Sequence, residues 1–406
     1  MNSNSHFQFP KVKLTKLLND RSRFIIPLLS TILVKIIGSI FLYSFTNMGT
    51  SETFWMSANA NNAVFTSLAN QGLRWPFLFL GWDSGWYLNI SVKGYAFSNQ
   101  SVAFFPGLPL FSWLLNIIIK NPAYSMIAIS SVVGVLWIPF YQLIAEDYMD
   151  KTTALKVTML YTAIPFVFLF STVAYSEGLF LLCTLIAWYL FKKGRLVLSL
   201  SVASIAVISR SPGLLIVLPM LVEVWKSKGQ LKNLRITSLN RFYFLMPFLA
   251  YFAWLIYSGS IVGSWYAPGT RSAWNGISTF PSFISAMLNG GFAVAFKEPL
   301  EIFSYLFNYK YVVIFILILP VLIYFLFKID RALALYSTVY AAILLGFGAL
   351  NSMPRFVSFI FPIWLVFGTK LLNRRESKYI FPVIIVLLYL SAIYFWGCFL
   401  NGLFVA

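Results

Sequence analysis

The sequence predicts an all-α polytopic membrane protein, with about eleven transmembrane helices and a long outer loop after the first. Three observations carry this. Of the 406 residues, 59% are hydrophobic and only 10% charged, where soluble domains carry about 25% charge. The mean hydropathy is +0.79. Apolar runs recur along the whole chain, several of them near the roughly 20 residues that cross a bilayer as a helix. The net charge of +18 does not point to a nucleic acid partner. The basic residues stand in short clusters between apolar runs, which is the positive-inside pattern, with attraction to anionic headgroups of membrane lipids as a second effect.

In chain order, residues 1–23 carry Lys11, Lys13, Lys16, Arg21 and Arg23 and read as a cytoplasmic tail. Residues 24–45 form the first span. It lacks a clear small-residue cleavage site and is long enough to cross, so a retained span is expected instead of a cleaved signal peptide. Residues 46–120 form the first outer loop. Further runs lie near 122–145, 157–172, 177–191, 195–208, 213–225, 242–262, 311–327, 332–350, 356–372 and 379–399. No repeat and no low-complexity linker divides them, so 24–406 reads as a single domain.

Parity decides the apolar stretch 104–119, which Pro106, Gly107 and Pro109 interrupt. If it crossed, the cluster Lys192, Lys193 and Arg195 would fall outside. If it lies flat or re-enters, twenty-one basic residues fall inside against eight outside, with Lys35 within the first span. The non-spanning arrangement follows. The runs between 157 and 225 are short, and non-helical backbone at membrane depth is tolerated where it lines a cavity or is buried in protein. They predict an outward-facing pocket sunk into the bilayer.

This topology leaves few acids outside: Glu52, Asp83, Glu177, Glu298 and Glu301. Asp83 lies in Gly81-Trp82-Asp83-Ser84-Gly85-Trp86-Tyr87. Flat rings of Trp82, Trp86 and Tyr87, and of Trp265 and Tyr266 later in the chain, suit the apolar faces of a sugar; the alternative is an interfacial aromatic belt. Asp83 could take a proton from an attacking hydroxyl or merely cap a helix. It has no Asp-x-Asp partner to hold a metal on a nucleotide diphosphate. The only histidine, His6, is in the N-terminal tail, which excludes an imidazole base or a His-based zinc site elsewhere. No metal and no cofactor is therefore expected. Cys183 and Cys398 both sit in apolar runs, against a structural disulfide. Glu177, Arg210 and Arg355 fall at junctions between apolar runs, where a charge costs about 2.5–3.5 kcal/mol and is a functional candidate by default. A structural ion pair, for example Glu177 with Arg210, is the plainer reading. Arginine forks on one cavity would suit a lipid-linked phosphate.

Together these pieces resemble the GPI mannosyltransferase II (PIG-V) family of polytopic GT-C glycosyltransferases. Trp82-Asp83, Tyr87, Gly94-Tyr95 and Ala103-Phe104-Phe105-Pro106-Gly107-Leu108-Pro109 resemble its Trp-Asp…Gly-Tyr…Phe-Phe-Pro-Gly-x-Pro signature. Pro165 with Tyr175-Ser176-Glu177 resembles its Pro…Tyr-Ser-Glu element. Ser209-Arg210-Ser211-Pro212-Gly213 resembles its Arg-Ser-Asn-Gly element, with Pro212 where Asn is common, and Arg355-Phe356 a late Arg-Phe element. The first signature is specific; the others are short. The chain lacks the long late outer insertions of eukaryotic members, as do compact prokaryotic relatives, which make no GPI anchors.

The resemblance implies a GT-C fold with juxtamembrane helices in the first outer loop. It implies a polyprenyl- or dolichyl-phosphate sugar donor, a lipid-linked or glycolipid acceptor, and an inverting, metal-independent transfer, mannose being the expected sugar. In that scheme Asp83 is the general base, Glu177 orients the acceptor or Arg210, and Arg210, Arg355 and Arg271 hold the donor phosphate. The site would face the non-cytoplasmic side of a prokaryotic cell membrane or of a eukaryotic endoplasmic reticulum membrane. A protein O-mannosyltransferase or another GT-C enzyme would differ in acceptor. A lipid-linked sugar transporter or flippase would tend to show repeated halves, which this chain does not.

Overall fold

A computed structural model describes residues 12–45, 74–228, 230–231, 234–235, 238–263, 310–347, 352–372 and 377–401. Among these the regular secondary structure is helical, apart from one two-residue antiparallel pairing of Gln230–Leu231 with Leu234–Arg235. The helices, in order, are α1 (Val12–Phe45), α2 (Ser84–Lys93), α3 (Gly107–Ile119), α4 (Pro122–Ala145), α5 (Lys151–Ala163), α6 (Pro165–Phe170), α7 (Glu177–Lys192), α8 (Leu196–Ser209) and α9 (Val217–Lys226). There follow α10 (Ser238–Arg241), α11 (Leu245–Val262), α12 (Lys310–Ile329), α13 (Arg331–Phe347), α14 (Met353–Ser358), α15 (Leu365–Phe367) and α16 (Ser377–Leu400).

Among the described residues, four stretches are helical, long and apolar enough to cross a membrane: Arg21–Phe45, Pro122–Ala145, Phe242–Ile261 and Tyr379–Leu400. Each coincides with one of the eleven expected spans. Others are broken, and proline explains the clearest case. Within 157–172, Ile164 turns to ψ 123 ahead of Pro165, as the residue before a proline must when its helical conformation is blocked. One expected run thus becomes α5 and α6. The run at 356–372 becomes α14, a 3-10 turn at Phe361–Trp364, α15 and a π turn at Gly368–Leu372. The stretch expected to lie flat forms α3, thirteen residues long, well short of the roughly 20 needed to span alone.

Local signals set several helix starts. Asp150 accepts from the Thr152 and Thr153 N–H groups at 3.0 and 3.1 Å to begin α5. Asn121 accepts from Tyr124 N–H to begin α4, with Pro122 in its first turn. Asp330 accepts from Ala332 and Leu333 N–H to begin α13, while its other oxygen takes the Tyr148 hydroxyl at 2.7 Å. These caps satisfy donors that a helix start leaves open.

Helix α7 is the centre of the packing, as a helix apolar nearly all round should be. It lies between α4 and α8 and buries Trp188 and Phe180 completely. Helix α6 packs on α14 and α16, and α1 packs on α4 and α5. The turn joining α6 to α7 therefore sits in the middle of the assembly, and that turn carries Tyr175, Ser176 and Glu177.

Candidate active site

The site begins at the turn before α2. Trp82 adopts φ +49, a left-handed conformation that costs an ordinary residue about 1–2 kcal/mol, and its indole N–H reaches the Phe399 carbonyl at 3.3 Å. Asp83 is next, at the N-cap of α2, yet its side chain makes no capping bond. The capping reading is thus not what this carboxylate does. Its Oδ2 instead takes the Arg355 Nη1 donor at 3.1 Å.

Each residue of Tyr175-Ser176-Glu177 contacts the rest of the site. The Asp83 backbone N–H donates to the Tyr175 hydroxyl at 3.0 Å. The Ser176 hydroxyl lies 2.8 Å from the Tyr87 hydroxyl and accepts from Arg210 Nη1 at 3.3 Å. Glu177 Oε1 takes Arg210 Nη1 at 2.5 Å and also the Arg355 Nε donor. A backbone bond from Ala174 N–H to the Phe79 carbonyl, 2.8 Å, ties the same turn to the stretch ahead of Trp82.

Two arginines and two carboxylates thus form one chain of contacts, Asp83–Arg355–Glu177–Arg210, from four separate elements. Burial is deepest at Glu177 and lessens toward both ends, Arg210 being 15% exposed. The Glu177 side chain is 1% exposed and that of Arg355 8%, against 27% for Asp83. Aromatic rings line the arginines. The Arg355 guanidinium lies 4.5 Å from the Phe170 centroid and 4.6 Å from that of Tyr175, and Arg210 lies 4.9 Å from Phe356. Such faces attract a desolvated cation. Glu177 Oε2 is buried and, among the described residues, has no hydrogen-bond partner.

The Phe-Phe-Pro-Gly stretch docks on this cluster from one side. Trp86 stacks on Phe104 at 5.4 Å and 12°, and the Tyr95 hydroxyl donates to the Phe104 carbonyl at 2.8 Å. Gly107 then meets α8 so closely that a Cβ would lie 2.5 Å from Ser209 Oγ and 2.8 Å from Ser209 Cα. Only glycine lets this backbone reach the residue preceding Arg210.

The expected residues Asp83, Glu177, Arg210 and Arg355 are therefore brought together. Trp82 and Trp86 flank them, partly exposed. Tyr87 is 4% exposed, its ring edge-on to Phe104 and its hydroxyl on Ser176, so it packs the site instead of offering a ring face. Arg271, Trp265 and Tyr266 lie outside the described residues. Tyr175 and Ser176 carry contacts that the sequence reading did not assign, although the intact Tyr-Ser-Glu triple was the signal for them.

The family model for Mannosyltransferase (PIG-V) matches residues 22–267, more than half of the chain. The chain belongs to this family. No curated protein matches it. As a PIG-V mannosyltransferase family member it is a glycosyltransferase of the membrane, acting on a lipid-linked donor and an acceptor in the general sense the family implies. The matched stretch holds Asp83, Glu177 and Arg210. Arg355 lies beyond it and joins them through the fold.

Proposed function

We propose that this PIG-V family protein transfers mannose from a polyprenyl-phosphate donor to a lipid-linked or glycolipid acceptor, on the non-cytoplasmic face, with inversion at the anomeric carbon. The observation that carries the reading is the Asp83–Arg355–Glu177–Arg210 chain, a partly exposed carboxylate next to two largely buried arginines.

The acceptor hydroxyl oxygen attacks the anomeric carbon while the bond from that carbon to the phosphate oxygen breaks. The hydroxyl proton passes to Asp83, and the polyprenyl phosphate leaves. The charges balance within the site. As Asp83 goes from anion to neutral acid, the departing phosphate gains one negative charge. Arg355, losing one of its two carboxylate partners, is available to the new charge. Each arginine has five N–H donors, and the contacts above use only some of them. Glu177 keeps both guanidinium groups in place throughout. Positioned charges in a water-poor site stabilise a developing anion without reorganising.

The test is transfer by the purified protein in vesicles. Label should pass from polyprenyl-phosphate-mannose to an extracted lipid acceptor, with the opposite anomeric configuration in the product and no loss of rate in chelator. Use of a nucleotide-linked mannose in place of the lipid donor would overturn the reading.

A further inference from the structure

Lys35 lies near the middle of the span Arg21–Phe45, where a charge is expensive and calls for a reason. Among the described residues no carboxylate is within salt-bridge reach of it. Its ammonium donates to the Ser171 carbonyl at 2.8 Å, to the Gly134 carbonyl at 3.1 Å and to Ser171 Oγ at 3.4 Å, beside the Phe168 ring at 5.8 Å. Ser171 ends α6 and opens the buried turn that runs into Tyr175, Ser176 and Glu177. The same Ser171 carbonyl rests on α4. A Cβ at Gly134 would lie 1.8 Å from the Ser171 carbonyl oxygen, and one at Gly178 would lie 3.2 Å from Gly134 Cα. The turn is thus pressed against a glycine and held by one ammonium reaching over from α1.

We propose that Lys35 is a positioning residue: by binding the Ser171 and Gly134 carbonyls it fixes the turn that presents Tyr175, Ser176 and Glu177 to Asp83 and the two arginines. Its hydrogen bonds go to Ser171 and Gly134 and to none of Asp83, Glu177, Arg210 and Arg355, so it acts through that turn. Tyr175 holds the Asp83 backbone, and Glu177 holds Arg210 and Arg355. A shift of the turn therefore moves base and phosphate-facing groups together. This rests on the transfer reaction proposed above for its kinetic readout alone.

A second readout is native to the chain. Cys183 is 5% exposed on α7, downstream of the same turn. With Cys398→Ser it is the sole thiol of the full-length protein. Lys35→Met should insert well, lower kcat by about tenfold or more and raise donor KM, since base and phosphate-facing groups lose alignment together. The same variant should speed alkylation of Cys183, and Lys35→Arg, which keeps a cationic donor, should restore most of both. Lys35→Gln cannot bridge both carbonyls and is read in the same way should Lys35→Met fail to insert. Wild-type Cys183 labelling in Lys35→Met or Lys35→Gln overturns the proposal, whether or not the transfer assay succeeds. A rate loss that Lys35→Arg leaves unrepaired overturns it as well. Absence of mannose transfer by the wild-type protein would instead count against the proposed reaction and leave the labelling result to decide on Lys35.

Discussion

Arg355 and Asp83 stand 272 residues apart in sequence and 3.1 Å apart in space, Nη1 to Oδ2. The same guanidinium binds Glu177 through Nε. Arg355 is thus the joint between the exposed and the buried acid. Removing one partner of a buried pair costs about 3–5 kcal/mol, and Glu177 would retain Arg210 alone. Arg355→Ala should lower the thermal midpoint in detergent and raise donor KM. Lys at this position should recover only part of the loss, since an ammonium cannot take two carboxylates through one planar fork. Unchanged donor KM in both variants would remove Arg355 from phosphate recognition.

Glu177 separates into a different phenotype. With its carboxylate on two guanidinium groups, Glu177→Gln leaves the cluster one unit more positive. An anionic donor should bind at least as well as before, so donor KM should not rise. Turnover should fall as the arginines lose their common anchor, but by less than for Asp83→Asn. A large rise in donor KM with normal turnover would instead make Glu177 a ligand of the donor.

Gly107 tests the close approach behind Arg210. An added methyl would meet both the hydroxyl and the Cα of Ser209, and overpacking of that kind costs about 1–3 kcal/mol. Gly107→Ala should lower the thermal midpoint and raise donor KM through a displaced Arg210. Gly94→Ala, where nothing lies within 4 Å of the added carbon but φ is +69, should lower stability through backbone strain and leave donor KM unchanged. Equal donor KM in both variants would detach Gly107 from the arginine.

The apolar runs and the charges at their junctions made the helical membrane architecture and the four charged residues legible in sequence. A charge among Val, Leu and Phe needs a partner, and few were available. The Glu177–Arg210 pair was named from sequence and is present, but the bridge was not legible, because nothing local to Arg355 indicates that it would join Asp83 and Glu177 instead of binding one of them. The span count was blurred by Pro165 and by the turns around Phe361–Trp364, where apolar composition continues while the helix does not. Tyr87 looked like a ring for a sugar because burial depends on Ser176 and Phe104, which lie on other segments. Lys35 read only as an anomaly of the first span, since its partners are main-chain carbonyls that any sequence possesses.

Asp83 carries the chemical step in the proposed reaction, and Asp83→Asn isolates it. The amide keeps the shape and can still accept from Arg355, but it cannot take the acceptor proton. General-base assistance contributes about 10²–10⁴-fold, or roughly 3–5 kcal/mol at about 1.4 kcal/mol per decade. Expression and thermal midpoint should stay near wild type, because this side chain is the most exposed of the four charges and makes no capping bond. Donor KM should change little, while turnover falls by at least about 10²-fold. Asp83→Glu should also be slow, since the added methylene moves the carboxylate from a position fixed by the Tyr175 hydroxyl on its backbone N–H. Wild-type turnover by Asp83→Asn would end the base assignment, and loss of wild-type turnover in chelator would place the donor phosphate on a metal instead of on the arginines.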